Sequence, residues 1–464
     1  MSCVRFYLFS GQQHLFLKLS STVNTIQISP LYILLTSLSS TVCFLSLSFL
    51  CFTGIRIMSG QQFCYSNYDS QSQSSRFRSD STSLWSQPSL PSVPSLTSQF
   101  HPQQYHLSNI RHHCLATLKG HTSYVSSLTF AGKSLYTGSS DKEIRLWKRN
   151  TTVDSESDYD NLTNNNIIAV GKGAVKSLVV LADKLFSAHQ DHKIRVWKIS
   201  NEDPDNQKYT RLATLPTLSD RATKLLLPKN HVQVRRHKTC TWVHHVDTVS
   251  ALALSRDETL LYSVSWDRTL KIWRTSDFKC LESVSNAHDD AINAVALSDD
   301  GDVYTGSTDK KIKVWRRNSG EKTHSLVATL EKHNSGINSL AISPDGSTLY
   351  SGASDRSIVV WRRMGDGTGM TVVGALRGHT KPILCLAVVS DLVCSGSADK
   401  TIRIWKRGVD TSYSCLAVLE GHQGPVKCLA GAVDRCNPSE TSYVIYSGSL
   451  DCDVKVWQIV VPFL

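Results

Sequence analysis

Gly378-His379, and downstream Ser395-Gly396-Ser397-Ala398-Asp399-Lys400-Thr401-Ile402-Arg403-Ile404-Trp405, hold a histidine, a hydroxyl, an aspartate and a tryptophan at set distances. Ser395 stands four residues before Asp399, and Asp399 six before Trp405. Working outward, the same spacing recurs six more times: Thr137/Asp141/Trp147, Ser187/Asp191/Trp197, Ser263/Asp267/Trp273, Thr305/Asp309/Trp315, Ser351/Asp355/Trp361 and Ser447/Asp451/Trp457. A histidine precedes the aspartate by 20 to 29 residues in six of the seven units, as His121, His245, His288, His333, His379 and His422. The second unit has Gly171 in that register. A catalytic set occurs once in a chain, so a set repeated sevenfold reads as structural, and no catalytic residue is assigned.

Between these residues lie short segments of alternating polarity, such as Leu261-Tyr262-Ser263-Val264 and Leu270-Lys271-Ile272-Trp273, joined by Ser265-Trp266-Asp267-Arg268. Period-two alternation around a turn is the pattern of half-buried antiparallel strands. A repeat of roughly 40 to 50 residues made of such strands is the signature of a β-propeller blade, which is stable only against its neighbours. On these motifs the chain resembles the WD-repeat family, from about residue 111 to 460. The resemblance implies an all-β fold, a single seven-bladed propeller, in which His, hydroxyl, Asp and Trp of each repeat form a buried hydrogen-bonded chain. It also predicts the closing strand. Few residues follow Trp457, and Cys114-Leu115-Ala116-Thr117-Leu118 matches the pattern of Cys415-Leu416-Ala417-Val418-Leu419, so the N-terminal segment is expected to complete the last blade. The expected propeller domain is 111–464.

Two interruptions stand out. Residues 199–240 form a long excursion containing Arg211-Leu212-Ala213-Thr214-Leu215 and Thr241-Trp242-Val243-His244-His245 at its end. Asp154-Ser155-Glu156-Ser157-Asp158-Tyr159-Asp160, with Asn164-Asn165-Asn166, reads as a solvated loop. The excursion, with repeats ending Trp-Lys-Arg or Trp-Arg-Arg, resembles the plant Jingubang-type subgroup of WD-repeat proteins. That resemblance implies a regulatory scaffold, acting in pollen germination or with transcription factors, in cytoplasm or nucleus.

Ahead of the repeats, residues 19–55 carry no charged side chain, and residues 31–52 are long and apolar enough to span a bilayer. Two readings stand: an uncleaved membrane anchor, or an extension preceding a start at Met58. The extension is the expectation, because Met58 opens a Ser/Gln/Pro-rich stretch, 58–110, of the composition of a disordered tail.

The formal net charge is +11, of which the first 110 residues contribute about +3. One basic ring follows the Asp residues, with Lys142, Arg268, Lys310, Arg356 and Lys400. A second follows the Trp residues, including Lys148, Arg149, Lys198, Arg274, Arg316, Arg363 and Lys406. Such surfaces attract acidic or phosphorylated protein segments. No nucleic-acid motif accompanies the charge, so nucleic acid is not an expected partner. Large aromatics, Tyr124 and Trp266, stand where other repeats have small residues at the channel mouth, and both are candidate partner anchors. Thr308, Ser354, Asp289 and Lys172 are assigned to the same rim.

Thirteen cysteines without paired spacing point to reduced thiols, and His112-His113-Cys114 is too weak a pattern for a metal site; no metal or cofactor is expected. The best reading is a monomeric, non-catalytic scaffold for other proteins. The alternative is a substrate receptor of a cullin-based ubiquitin ligase, a class marked by Trp-Asp-x-Arg at repeat ends; here Trp266-Asp267-Arg268 lies inside a turn.

Overall fold

A computed structural model describes residues 93–97 and 110–462, apart from 133, 149–165, 201–207, 226–230, 236–237, 319, 366–368, 409–411 and 435–439. The apolar extension, the Asp154–Asp160 loop and Arg149 lie outside the described residues. Among those described, no helix is long and apolar enough to cross a membrane.

Seven four-stranded antiparallel sheets follow one another, and the inner strand of each packs against that of the next until the seventh meets the first. Blades 1 to 6 span residues 125–170, 175–215, 249–284, 292–331, 337–376 and 383–419 in numerical order. Blade 7 takes three strands from residues 426–462 and its outer strand, Arg111–Leu118, from the other end of the repeat array. That strand pairs with Val454–Pro462, Cys114 opposite Trp457 and Leu118 opposite Val454. The expected closure is therefore present, and it removes two free sheet edges at once.

The reason the second strand of each blade reads as an apolar run is that it is covered on both faces. Leu392–Ser397 and Leu260–Ser265 are buried at every position. Where one blade leans on the next, five blades place glycine: a Cβ on Gly396 would fall 2.7 Å from Val426 Cγ1, and one on Gly448 would fall 2.7 Å from Val125 Cγ1 across the closure. A β-branched side chain of the following inner strand takes that space. Side-chain hydrogen bonds also link neighbouring inner strands: Asn293 Nδ2 donates to Ile337 O at 2.9 Å, and Asn338 Nδ2 to Ile383 O at 2.7 Å.

The excursion is less irregular than the sequence spacing suggests. Its first part is ordinary blade: Ile194–Ser200 pairs with Lys208–Leu215, the outer strand of blade 2. A helix, Leu218–Leu225, follows, with Thr217 Oγ1 accepting from Asp220 N at 3.2 Å at its start. Asp220 in turn accepts from Cys280 N at 2.9 Å, which pins the helix to blade 3. The hairpin of His231–Arg235 and Lys238–Thr241 completes the insertion.

One part of the Ser/Gln/Pro-rich tail departs from the expectation of a segment without structure. Residues 93–97 lie along the outer strand of blade 5, with bridges from Ser95 to Ala375 and from Thr97 to Tyr413.

Candidate partner-binding face

In blade 6, Trp405 Nε1–H donates to Ser395 Oγ at 2.9 Å. The hydroxyl proton then goes to His379 Nε2 at 2.8 Å, so the imidazole proton sits on Nδ1 and is donated to Asp399 Oδ2, also at 2.8 Å. The carboxylate can only accept, so it holds the proton of the neutral imidazole on Nδ1 and leaves Nε2 to accept from the hydroxyl, which in turn accepts from the indole. The same chain is built by His121, Thr137, Asp141 and Trp147, by His245, Ser263, Asp267 and Trp273, and by His288, Thr305, Asp309 and Trp315. His333, Ser351, Asp355 and Trp361 form it in blade 5, and His422, Ser447, Asp451 and Trp457 in blade 7. The tetrad residues are thus held inside the blades, where each bond contributes about 1 kcal/mol net but an orphaned partner costs about 1–3 kcal/mol.

Each aspartate also shapes the surface. Asp399 Oδ2 accepts from Thr380 N at 3.0 Å, and Oδ1 from Thr401 N at 3.0 Å. The residue between, Lys400, is thereby held at φ 72°, and Lys142, Arg268, Lys310 and Arg356 lie at 76°, 67°, 73° and 69°. Left-handed backbone is unfavourable for these residues, and the carboxylate bonds stabilise it. Burial raises the pKa of Asp309, but the bonds from His288 and the backbone outweigh it and bring the carboxyl down to about 2.

This ring of turns carries basic side chains that form no ion pair among the described residues; Lys142, Arg268, Lys310 and Lys400 are exposed and Arg356 is half-buried. The ring after the tryptophans differs. Arg316 and Arg363 both bind Asp302, at 2.6 and 2.7 Å, Arg274 pairs with Asp277 at 3.0 Å, and Lys406 with Asp391 at 3.3 Å. Much of that charge is neutralised within the chain, so the turn face is the more open to an acidic partner.

In every blade the two rim positions read from the sequence are neighbours. Ser140 N donates to Tyr124 O at 3.0 Å, Trp266 N to Thr248 O at 3.0 Å, Thr308 N to Ala291 O at 2.9 Å and Ser354 N to Gly336 O at 2.9 Å. Tyr124 of blade 1 and Trp266 of blade 3 therefore flank blade 2. Between them rises Lys176, on the inner strand Val175–Leu181. Its Nζ donates to Tyr124 Oη at 2.9 Å and lies 5.3 Å from the Tyr124 ring centre and 5.8 Å from that of Trp266. Burial raises the Tyr124 pKa, yet the Lys176 ammonium, with Lys427 farther off, leaves it below the ordinary tyrosine value. Lys427, on the inner strand of blade 7, is held below the usual lysine range by burial and by the like charge of Lys176. Neither amine has a carboxylate partner among the described residues. Cationic contact with two rings and a phenol oxygen compensates Lys176 only partly.

The sequence reading brought out the aromatics and missed the lysines. The signal was available: at the second inner-strand position the chain has Ser126, Lys176, Ser250, Asn293, Asn338, Leu384 and Lys427, two cations among small or neutral residues.

His121, Asp141 and Glu143 bring three potential metal donors within 4.8 Å. The chemistry explains the cluster without an ion: the Nδ1 proton of His121 is already given to Asp141, and Glu143 accepts from Arg145 at 2.8 and 3.0 Å. His112, His113 and Cys114 are exposed on the outer strand of blade 7.

Comparison with known proteins follows the blades. The family described as WD domain, G-beta repeat matches residues 112–148, 237–274, 278–316, 324–362, 370–406 and 413–458, together just over half of the chain. The segment left out, 149–236, is where blade 2 lies. Among curated relatives, the ribosome biogenesis protein YTM1 of Eremothecium gossypii is 26% identical over 36% of this chain and 40% of its own length. The small ribosomal subunit protein RACK1 of Drosophila melanogaster is 34% identical over 22% of this chain and 31% of its own. Autophagy-related protein 16 of Arabidopsis thaliana is 23% identical over 69% of this chain and 54% of its own. The matches span about half or less of these relatives' lengths. Six matched repeats, a closed ring of seven blades and the buried tetrads place this chain in the WD-repeat family.

Proposed function

We propose that this WD-repeat scaffold receives an acidic or phosphorylated segment of a partner protein at the channel mouth of its turn face. The observation that carries the reading is the grouping of Lys176 and Lys427 with Tyr124 and Trp266. An incoming carboxylate or phosphate would meet two amines that lack an acid of their own, in a half-buried setting where charge is poorly screened. The flanking rings would cover the apolar stem of the same segment, as aromatic anchors do. The surrounding ring of Lys142, Arg268, Lys310, Arg356 and Lys400 would steer acidic chains towards the mouth. Nothing in this grouping supplies a nucleophile or a paired acid and base, so the role proposed is binding.

For the cellular setting, the relatives' names speak of ribosome biogenesis, a ribosomal subunit and autophagy, each at low identity and partial coverage. A Jingubang-type regulator rests instead on the Trp-Lys-Arg and Trp-Arg-Arg ends and on the insertion before blade 3, and the relatives' names add nothing to it. Both settings are compatible with a cytoplasmic or nuclear protein.

The test is proximity labelling in cells with the full chain, comparing wild type with Tyr124→Ala/Trp266→Ala and with Lys176→Met/Lys427→Met. A discrete set of labelled proteins is expected to vanish with both pairs while the unfolding midpoint stays within a few degrees. Unchanged labelling in folded variants would sink the reading.

A further inference from the structure

Residues 93–97 read Val-Pro-Ser-Leu-Thr, the end of a run in which Pro88-Ser89-Leu90, Pro91-Ser92-Val93 and Pro94-Ser95-Leu96 repeat every three residues. In a chain laid along a strand edge, side chains alternate between the two faces of the sheet, so aliphatics three residues apart fall on opposite faces. The structure uses both faces of blade 5. Val93, 2% exposed, enters the apolar seam between blades 4 and 5, and Leu96 packs into the seam between blades 5 and 6. The segment straddles the outer strand of blade 5, Met370–Leu376.

The blade is shaped for it. Ala375 N donates to Pro94 O and Leu96 N to Ala375 O, each at 2.9 Å, while Tyr413 N of blade 6 donates to Leu96 O at 2.9 Å and Arg377 to Val93 O at 2.7 Å. A Cβ on Gly374 would fall 2.4 Å from Leu96 Cγ and 2.8 Å from Pro94 O. The residues at the same register in blades 7, 2, 4 and 6 are Ala116, Ala213, Ala328 and Ala417. Glycine stands in blade 5, under the added segment.

We propose that the outer strand of blade 5, with the two seams beside it, is a binding site for extended protein segments of the pattern aliphatic-Pro-Ser-aliphatic, and that residues 93–97 are its resident ligand in cis. A partner segment of the same chemistry would take its place by adding to the same strand edge, main-chain bonds giving affinity and the two seams giving specificity. Gly374 is the specificity-determining residue. Thirteen residues separate Thr97 from Arg111, a tether that holds the cis ligand at an effective concentration on the order of millimolar. A free segment therefore binds well only after the resident one has been released. The site lies on the outer edge of the ring and does not depend on the channel-mouth reading.

The experiment uses the full chain and a fluorescein-labelled peptide of residues 88–98. Val93→Asp/Leu96→Asp, which releases the resident segment, is expected to bind the peptide at least ten-fold more tightly than wild type does, and a peptide carrying Leu96→Asp is expected not to bind. Hydrogen exchange gives a second readout: the amides of Ala375 and Tyr413, which bond Pro94 O and Leu96 O, are expected to be slow in wild type, fast in the released variant, and slow again with peptide. Adding Gly374→Leu to the released variant is expected to abolish binding. A folded released variant that neither binds peptide nor regains protection would overturn the proposal. A wild-type dimer lost on Leu96→Asp would overturn the assignment in cis.

Discussion

Blade 2 and blade 6 solve one problem with different residues. In blade 6 a single chain runs from Trp405 through Ser395 and His379 to Asp399, so the buried indole and the surface turn are coupled. In blade 2 the residue in the histidine register is Gly171, and the imidazole comes from His189, at the end of the second strand, where other blades have serine or alanine. Trp197 Nε1 donates to Ser187 Oγ at 2.8 Å, Ser187 bonds His189 Nε2 at 2.8 Å, and His189 Nδ1–H is given to Gly173 O at 3.0 Å. Asp191, left without an imidazole, pairs with Arg195. The difference teaches that the demand to be met is hydrogen bonding of the buried indole and hydroxyl. The source of the ring is secondary. Blade 2 meets the demand by splitting one chain into two parts, the imidazole bonded to a backbone carbonyl and the carboxylate to a guanidinium.

The largest expected effect separates the coupled from the split design. His379→Ala leaves a cavity, an orphaned Ser395 and a buried carboxylate without its donor, and is expected to cost about 3–5 kcal/mol, read as a shift in denaturant midpoint. It should also speed exchange of the Thr380 and Thr401 amides, which bond Asp399. His189→Ala is expected to cost about 2–3 kcal/mol from cavity and lost bonds, with the Asp191 turn undisturbed. A silent His189→Ala would mean that the ring contributes neither packing nor hydrogen bonding to the stability of blade 2.

The repeat was legible because its residues answer to the same physics seven times, and so was the closing strand, whose Cys114–Leu118 pattern is that of an outer strand. The outer strand of blade 2 escaped notice although Leu212-Ala213-Thr214-Leu215 repeats Leu115-Ala116-Thr117-Leu118; the unusual Trp spacing around it drew attention to an insertion. His189 escaped because a search by register looks for the histidine upstream, whereas the space is reached from two residues beyond the hydroxyl. Val93 and Leu96 were hidden by Pro/Ser composition, which describes a chain on its own and not the groove prepared for it by Gly374. At the rim, Tyr124 and Trp266 were found by size; Lys176 and Lys427 needed the closure of the ring to bring inner strands of blades 2 and 7 towards one mouth.

Acid should separate the two designs next. Burial, and then the charge of Arg195, lower the His189 pKa to about 4. Since an unfolded histidine titrates near 6.5, the unfolded chain binds the extra proton first, and stability is complete above that value and lost as pH falls towards 4. The expected loss is about 2–3 kcal/mol over that window. His245 of blade 3, also lowered by burial, adds in the same direction. The tetrad carboxylates act later. Their stabilisation is present above the ordinary carboxylate value and disappears as pH falls through the folded one, about 2 for Asp309. Unfolding midpoints between pH 7 and 4 should therefore fall less steeply in His189→Ser than in wild type, while the two should run in parallel below pH 4. Equal slopes above pH 4 would assign the early loss to another group.

The smallest effect tests whether the two halves of blade 2 were exchanged for each other. A Cβ on Gly171 would lie 2.6 Å from His189 Cε1 and 2.8 Å from its Nδ1. Gly171→Ala is expected to cost about 1–2 kcal/mol in wild type by crowding a fixed ring. In His189→Ser the ring is gone and the same substitution should be neutral within about 0.5 kcal/mol, so the double-mutant cycle gives a coupling of about 1 kcal/mol. Gly171→His combined with His189→Ser goes further, because it returns the imidazole to the register used by the other six blades. If the coupled design needs only those residues, the double variant regains part of the stability lost in His189→Ser, and Asp191 gains an imidazole donor in competition with Arg195. If it regains none, the loop before the inner strand of blade 2 has been built around His189, and the glycine is a consequence of that ring and not its cause.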